Sequence, residues 1–255
     1  MSNGARRSGS LLRKRRACAM LGPVALALAL LAGRQLAAAG IVAADYAGPT
    51  MRYPHGALGD TIEHDTLSVR LDDGRRLAAR FPDTIVFEDT APRLADLDGD
   101  GLAEVIVVES HEARGARLAV WGLKDGKLAR LAATPFIGRR FRWLAPAGAA
   151  DLDGDRRIEI AYVETPHLGK KLKIVRLEGD RLVPVAEAEG LTNHRIGEPF
   201  IEGGIAHCDG RPTILLANAG WTRIIGALLD GGEVATMDRA RYRGPDSFNH
   251  VPGCD

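Results

Sequence analysis

The sequence predicts an all-β protein, a small β-propeller of about four blades built from four-stranded repeats of about 55 residues. An acidic loop occurs twice, at residues 96–104 and 151–159, so Asp151 follows Asp96 by 55 residues. Each loop leads directly into a short apolar run of the kind that forms strands. A four-stranded unit cannot bury its apolar faces alone, so neighbouring units must pack together.

The predicted elements follow one another as apolar runs separated by Gly/Asp turns. In the upstream unit and the first acidic unit, the predicted strands are residues 67–71, 77–81, 105–108, 117–121 and 128–132. Asp72-Asp73-Gly74 and Lys124-Asp125-Gly126 read as hairpin turns between them. The upstream unit has no acidic loop.

The later units repeat this order. Their predicted strands are residues 160–163, 173–177, 182–186, 214–217 and 223–229. The third copy begins near Gly204 and has lost its acidic residues, so we expect no ion there. We divide the chain into units of about 53–94, 95–149, 150–205 and 206–255.

The two acidic loops have the composition of calcium sites. Calcium takes six to eight oxygen ligands in flexible geometry, whereas magnesium keeps several waters. The predicted ligands are Asp96, Asp98, Asp100, the carbonyl of Leu102 and Glu104, then Asp151, Asp153, Asp155, the carbonyl of Arg157 and Glu159. We expect two structural Ca²⁺ ions, the alternative being solvent-exposed Asp-Gly turns without an ion.

These loops, followed by apolar strands, resemble the FG-GAP/VCBS repeat family, the β-propeller type of the integrin-alpha N-terminus. The resemblance spans roughly residues 53–235 and is closest to small secreted bacterial VCBS-repeat proteins, through residues 53–56, 136–138 and 190–198. It implies the same calcium ligands. Glu104 and Glu159 stand where the family pattern has Asp, and Arg156 replaces a glycine, which puts the turn of the second loop in question.

The N-terminus has the pattern of a secretory signal. Residues 1–44 contain seven basic residues and no acidic one, with an apolar run at 17–33 and Ala37-Ala38-Ala39 after it. We predict a signal peptide over 1–44, cleaved near Ala39 or Ala44, and a repeat domain over 45–255 that is periplasmic or extracellular. The alternative is an uncleaved N-terminal anchor, through which alone the protein would contact a membrane.

Charge and cysteines agree with export. Removing the seven basic residues of the signal from 34 leaves 27 against 33 acidic residues, a net charge of about −6. An acidic domain disfavours nucleic acid as a partner and leaves an unknown protein or glycan outside the cytoplasm. Cys208 and Cys254 then remain as an even pair, and we predict a disulfide between them, the alternative being two free thiols.

No catalytic sequence motif is present. The connections between units carry a candidate pocket for an anion or a sugar, formed by Arg142, Trp143, His167, His194 and Arg195. The alternative is that His194 and Arg195 bond loop groups between units. We expect a non-enzymatic binding or scaffolding module of the cell envelope. A hydrolase or lyase acting on envelope glycan or lipid, and a purely structural module, remain as alternatives.

Overall fold

The computed structural model describes residues 39–255, and almost all of its regular structure is β. The predicted signal peptide lies outside the described residues, except for residues 39–44. Within residues 39–255, no helix is long and apolar enough to cross a bilayer.

Four groups of strands follow one another along the chain, and we call them the first to fourth blades. The first and second blades are β1 (Ile41–Thr50), β2 (Glu63–Leu71) and β3 (Arg76–Arg80), then β5 (Arg93–Ala95), β6 (Glu104–His111), β7 (Gly115–Lys124) and β8 (Lys127–Ala133). The third and fourth blades are β9 (Leu144–Ala150), β10 (Glu159–Glu164), β11 (Lys171–Glu178) and β12 (Arg181–Glu189), then β14 (Gly204–Cys208), β15 (Arg211–Asn218), β16 (Arg223–Asp230) and β17 (Glu233–Arg241). Two short strands, β4 (Ile85–Phe87) and β13 (Leu191–Thr192), lie between blades.

The predicted all-β fold of four-stranded repeats is confirmed. The second, third and fourth blades are antiparallel meanders in which each strand pairs with the next. The first blade has three strands, and β4 pairs with both β2 and β6, joining the first two blades into one sheet. The predicted unit boundaries at residues 95 and 150 fall at the ends of β5 and β9, because each blade starts one strand before its acidic loop.

The central strands of the blades are buried on both faces. In β6, Val105 and Val107 pack toward the first blade, while Ile106 and Val108 pack toward the third. A similar core between the third and fourth blades contains Val163. Strands covered on both faces read as continuous apolar runs, which is why these segments were recognisable in the sequence.

The C-terminal tail covers the other face of the fourth blade. After a short 3₁₀ helix, Pro245–His250, the chain returns so that Val251 packs in a cluster with Leu215 and Ile224. Cys254 and Cys208 form the predicted disulfide, across 46 residues of sequence. The tail therefore completes the core that the last blade would otherwise expose.

Replacing Cys254 by Ser is expected to lower the free energy of unfolding by roughly 4 kcal/mol, because a crosslink across a loop of this length restricts the unfolded chain. Urea unfolding of the variant and of the wild type measures the difference. Wild-type protein treated with a reducing agent is the control and should match the variant. Equal midpoints for oxidised wild type and variant would contradict the prediction.

Candidate functional site

The first acidic loop connects β5 to β6 and folds around its own carboxylates. Backbone N–H groups donate to these carboxylates at N···O distances of 2.7–3.1 Å: Gly99 and Gly101 to Asp96, Asp100 to Asp98, Leu102 to Asp100, and Leu97 to Glu104. One carboxylate oxygen each from Asp96, Asp98 and Glu104 lie within 4.8 Å of one another. The loop thus gathers oxygen ligands of the type that Ca²⁺ prefers.

The second acidic loop connects β9 to β10 and repeats this network. The equivalent N–H groups donate at 2.7–3.1 Å: Gly154 and Arg156 to Asp151, Asp155 to Asp153, Arg157 to Asp155, and Leu152 to Glu159. Arg156 adopts a φ of +70°, close to the +86° of Gly101 at the same position of the first loop. The turn therefore survives the replacement of glycine, at a cost of about 1–2 kcal/mol for the left-handed backbone.

The electrostatics of the two loops differ. Glu104 is buried, and burial raises its pKa to about 7, with repulsion from Asp98, Asp100 and Asp96 adding to the rise and the Leu97 amide opposing it. Burial also raises the pKa of Glu159, but there the Leu152 amide and the Arg176 guanidinium oppose the rise. Sequence reasoning missed Arg176, which lies on β11 directly opposite Glu159.

Three of the five predicted pocket residues form one aromatic cluster. His194 Nδ1 lies 2.8 Å from His167 Nε2, and the Trp143 ring stands edge-on to His194 with 4.9 Å between centroids. His194 Nε2 lies 2.8 Å from the carbonyl oxygen of Glu198, which can only accept, so Nε2 carries the proton. His194 Nδ1 then accepts from His167 Nε2, which leaves His167 Nδ1 as an acceptor.

The other two predicted pocket residues are placed differently. Arg142 lines a small cavity of about 10 Å³ together with Trp143 and His167. The Arg195 guanidinium instead lies over the rings of Trp221 and Tyr242, at 4.3 and 4.9 Å from their centroids. Arg195 thus contacts aromatic side chains of the fourth blade and is not among the residues that line the cavity.

The same cavity is lined by His55, whose role the sequence did not reveal. His55 Nδ1 lies 2.5 Å from Glu88 Oε1, and the Ser110 hydroxyl donates to Glu88 Oε2. Glu88 is fully buried; burial raises the pKa of this carboxyl, while His55 and Ser110 lower it. The available signal was a glutamate directly after the apolar run Ile85–Phe87, where a polar residue requires a buried partner.

Two residues that line this cavity have unusual backbone conformations. Phe141 has a φ of +59° and Thr165 a φ of +49°. Left-handed backbone is rare for bulky and β-branched residues, and such strain concentrates at binding and catalytic sites. The His55 ring stacks on Phe141 with 4.9 Å between centroids, so the strained residue supports the imidazole.

A larger cavity of about 700 Å³ lies elsewhere, against the third blade. Its lining includes Ile137, Tyr162, Lys173, Leu182 and Glu187. None of the five predicted pocket residues lines it. This cavity of about 700 Å³ and the aromatic cluster of Trp143, His167 and His194 are therefore separate features of the described structure.

Residues 84–162 match the FG-GAP-like repeat family. The matched segment contains the second blade and both acidic loops, so the resemblance stated from the sequence is confirmed there. No curated protein matches the chain.

Among solved structures, the chain is similar to three rhamnogalacturonan lyases. The exotype lyase YesX has 16% identity and a TM-score of 0.38, with 66% of this chain and 34% of the lyase covered. YesW has 16% identity and a TM-score of 0.37, and the lyase PL11 of Bacillus licheniformis has 18% and 0.37; each match covers 70% of this chain and 44% of the lyase. The chain thus spans less than half the length of these enzymes.

His167 is expected to make the protein less stable in acid. Burial lowers its pKa to about 4, with the positive charges of His194, His55 and Lys170 adding to the effect, while in the unfolded chain the value is near 6.5. The unfolded state then binds more protons, so the free energy of unfolding should fall as pH drops from about 6.5 to 4. Urea unfolding across this pH range measures the slope.

The matched variant is His167→Gln, whose amide can still donate to His194 but does not titrate. It should show a shallower loss of stability between pH 6.5 and 4 than the wild type. Parallel pH profiles for the two proteins would show that His167 does not hold a lowered pKa.

Proposed function

We propose that this chain is an exported calcium-binding FG-GAP/VCBS repeat protein that acts as a non-enzymatic binding or scaffolding module of the cell envelope. The observation that supports calcium most strongly is the first acidic loop. It brings carboxylate oxygens of Asp96, Asp98 and Glu104 within 4.8 Å of one another, and within residues 39–255 none of these three residues forms an ion pair with a basic side chain. Such a concentration of negative charge favours a divalent cation.

Calcium in this loop would have a structural role. The Asp and Glu side chains of residues 96–104 would hold the ion, and the ion would neutralise their charge when bound. Because the loop connects β5 to β6, a bound ion would hold together the first two strands of the second blade. The loop's own backbone amides already orient the carboxylates, so little reorganisation opposes binding.

Export is supported by one structural feature besides the N-terminal sequence pattern, and β1 bears on where the signal would be cleaved. The disulfide between Cys208 and Cys254 is of a kind that persists in oxidising compartments. Cleavage after Ala39 would leave β1 whole, whereas cleavage after Ala44 would remove its first four residues, including the buried Ile41. We therefore favour Ala39 as the cleavage position and a periplasmic or extracellular protein.

The partner is proposed to be a protein or a glycan rather than nucleic acid. The exported domain would carry an excess of acidic residues, which repels a polyanion. Contact with a membrane would come only from an N-terminal segment that remains uncleaved.

Calcium is expected to raise the melting temperature relative to protein in chelator, since a ligand that binds only the native state stabilises it, by about 2.7 kcal/mol at a concentration of 100 Kd. Asp98→Asn should lose most of this rise. Asp180→Asn removes the same charge from the exposed β11–β12 turn and should keep it. Thermal unfolding with and without Ca²⁺ measures all three, and identical melts for wild type in both conditions would contradict the proposal.

A second candidate function is that of a hydrolase or lyase acting on envelope glycan or lipid, and His55 favours it. If His55 Nδ1 carries the proton and donates it to the buried Glu88, Nε2 of the same ring is left as a base. The His55 ring lines the same cavity as His167, whose Nδ1 is also free to accept. Two imidazoles at one strained loop cluster are an arrangement suited to proton transfer.

If the protein is an enzyme, His55→Gln should abolish turnover of neutral glycans, acidic glycans or phospholipids while leaving the calcium-dependent melt in place. His250→Gln, at an exposed histidine of the C-terminal tail, is the matched control and should keep full activity. Release of product from this substrate panel is the measurement. Turnover that is equal in the wild type and in the His55 variant would exclude His55 as the base.

A further inference from the structure

We infer that the guanidinium of Arg176 takes the place of Ca²⁺ in the second acidic loop, so that the repeats within residues 39–255 bind one Ca²⁺ and not two. This inference rests on the proposed calcium site of the first acidic loop. It concerns which cation pairs with the carboxylates of the second acidic loop.

Arg176 reaches three carboxylates of the second loop. Its Nε lies 2.5 Å from Glu159 Oε1, and its Nη2 lies 3.1 Å from both Asp153 and Asp155. Nη2 also contacts Glu159 Oε1. Only 7% of the Arg176 side chain is exposed, and Glu159 is fully buried. One buried cation therefore pairs with three of the four carboxylates that would otherwise hold an ion.

The equivalent position of the second blade cannot supply such a cation. In the third blade, Glu159 on β10 lies opposite Arg176 on β11, and the next residue of β10, Ile160, lies opposite Val175. The pair Ile160–Val175 corresponds to the pair Val105–Trp121 of the second blade. Gly122, the residue after Trp121, is therefore the counterpart of Arg176, and a Cβ atom on it would lie 3.5 Å from Glu104 Cγ. The two loops share a backbone and an acidic set and differ in what faces them.

Two further positions are uncharged in the first loop and positively charged in the second. Gly101 of the first loop corresponds to Arg156 of the second, and Leu102 corresponds to Arg157. Arg157 Nη2 pairs with Asp155 at 2.7 Å. Together with Arg176, three arginines thus stand where the second blade has the uncharged residues Gly101, Leu102 and Gly122. Each loop has four carboxyl groups, so with every carboxyl ionised the formal charge is −4 for the first loop and −1 for the second, counting the three arginines.

A guanidinium is well suited to this role. It is charged at all relevant pH values and presents five N–H donors in a fixed plane, which suits several carboxylates at once. For Ca²⁺ to bind, it would have to displace Arg176 from Glu159 and both aspartates and leave a buried positive charge unpaired, which is costly. The third blade is therefore held together without a metal, while the second blade depends on one.

The experiment is the number of Ca²⁺ ions bound, measured by calorimetric titration of the chelator-treated protein with CaCl₂. Wild type should bind one ion, Asp98→Asn none, and Asp153→Asn still one. Arg176→Gly copies the Gly122 context of the second blade and should bind a second ion. Thermal melts should show a larger calcium-dependent rise for Arg176→Gly than for wild type.

The outcomes for the different variants distinguish the proposal that the first loop binds Ca²⁺ from the inference that Arg176 replaces Ca²⁺ in the second loop. Two ions bound to wild type, or a loss of one ion in Asp153→Asn, would overturn the inference while leaving the calcium proposal intact. No binding by wild type and by Arg176→Gly would overturn the calcium proposal itself, and the inference with it. If Arg176→Gly does not fold in chelator, refolding it in CaCl₂ supports the inference, and the Asp153→Asn arm does not depend on that variant.

Discussion

The structure depends on burial of both faces of the central strands between neighbouring blades. β6 is the clearest case, because alternate residues from Val105 to Val108 belong to two different cores. No blade can bury these residues alone, so stability comes from the interfaces between blades. The constraint also explains the position of residues 245–255, which cover the face of the fourth blade opposite the third blade and are tied there by the disulfide between Cys208 and Cys254.

Close packing of the blades forces polar groups at their connections to find partners within the protein. The Trp143 indole donates to the backbone carbonyl of Glu88, and the Asn193 amide donates to the carbonyl of Ala145. Tyr53 accepts from the Phe141 amide across 88 residues of sequence. These bonds join connections of different blades and bring His55 and His167 to one cavity. The arrangement of His55 and His167 at one cavity is thus a consequence of blade packing as well as a candidate site.

The two acidic loops share one backbone geometry but differ in the basic side chains that face them. Both loops orient their carboxylates by the same set of backbone N–H donors. In the third blade, the negative charge of these carboxylates is paired with Arg176. In the second blade, Gly122 lies at the position of Arg176 and provides no positive charge. A repeat can therefore keep its geometry while the ionic partners of its carboxylates change through the residue that faces the loop. This residue lies on another strand, so comparison of the loops alone does not reveal it.

The sequence by itself determined ten of the 17 strands, the 55-residue period and the two acidic loops, because these are local patterns of apolar runs, turns and spacing. It also indicated the pairing of Cys208 with Cys254. Only the tertiary structure decided that β1 belongs to the first blade, since Ile41–Thr50 overlaps the end of the predicted signal and has no clear alternation. It alone brought Glu88 to His55, turned Arg195 toward Trp221, and set Arg176 against Glu159. Each of these contacts joins residues that are distant in sequence, and their meeting depends on strand register and on the packing of blades, which local patterns do not encode.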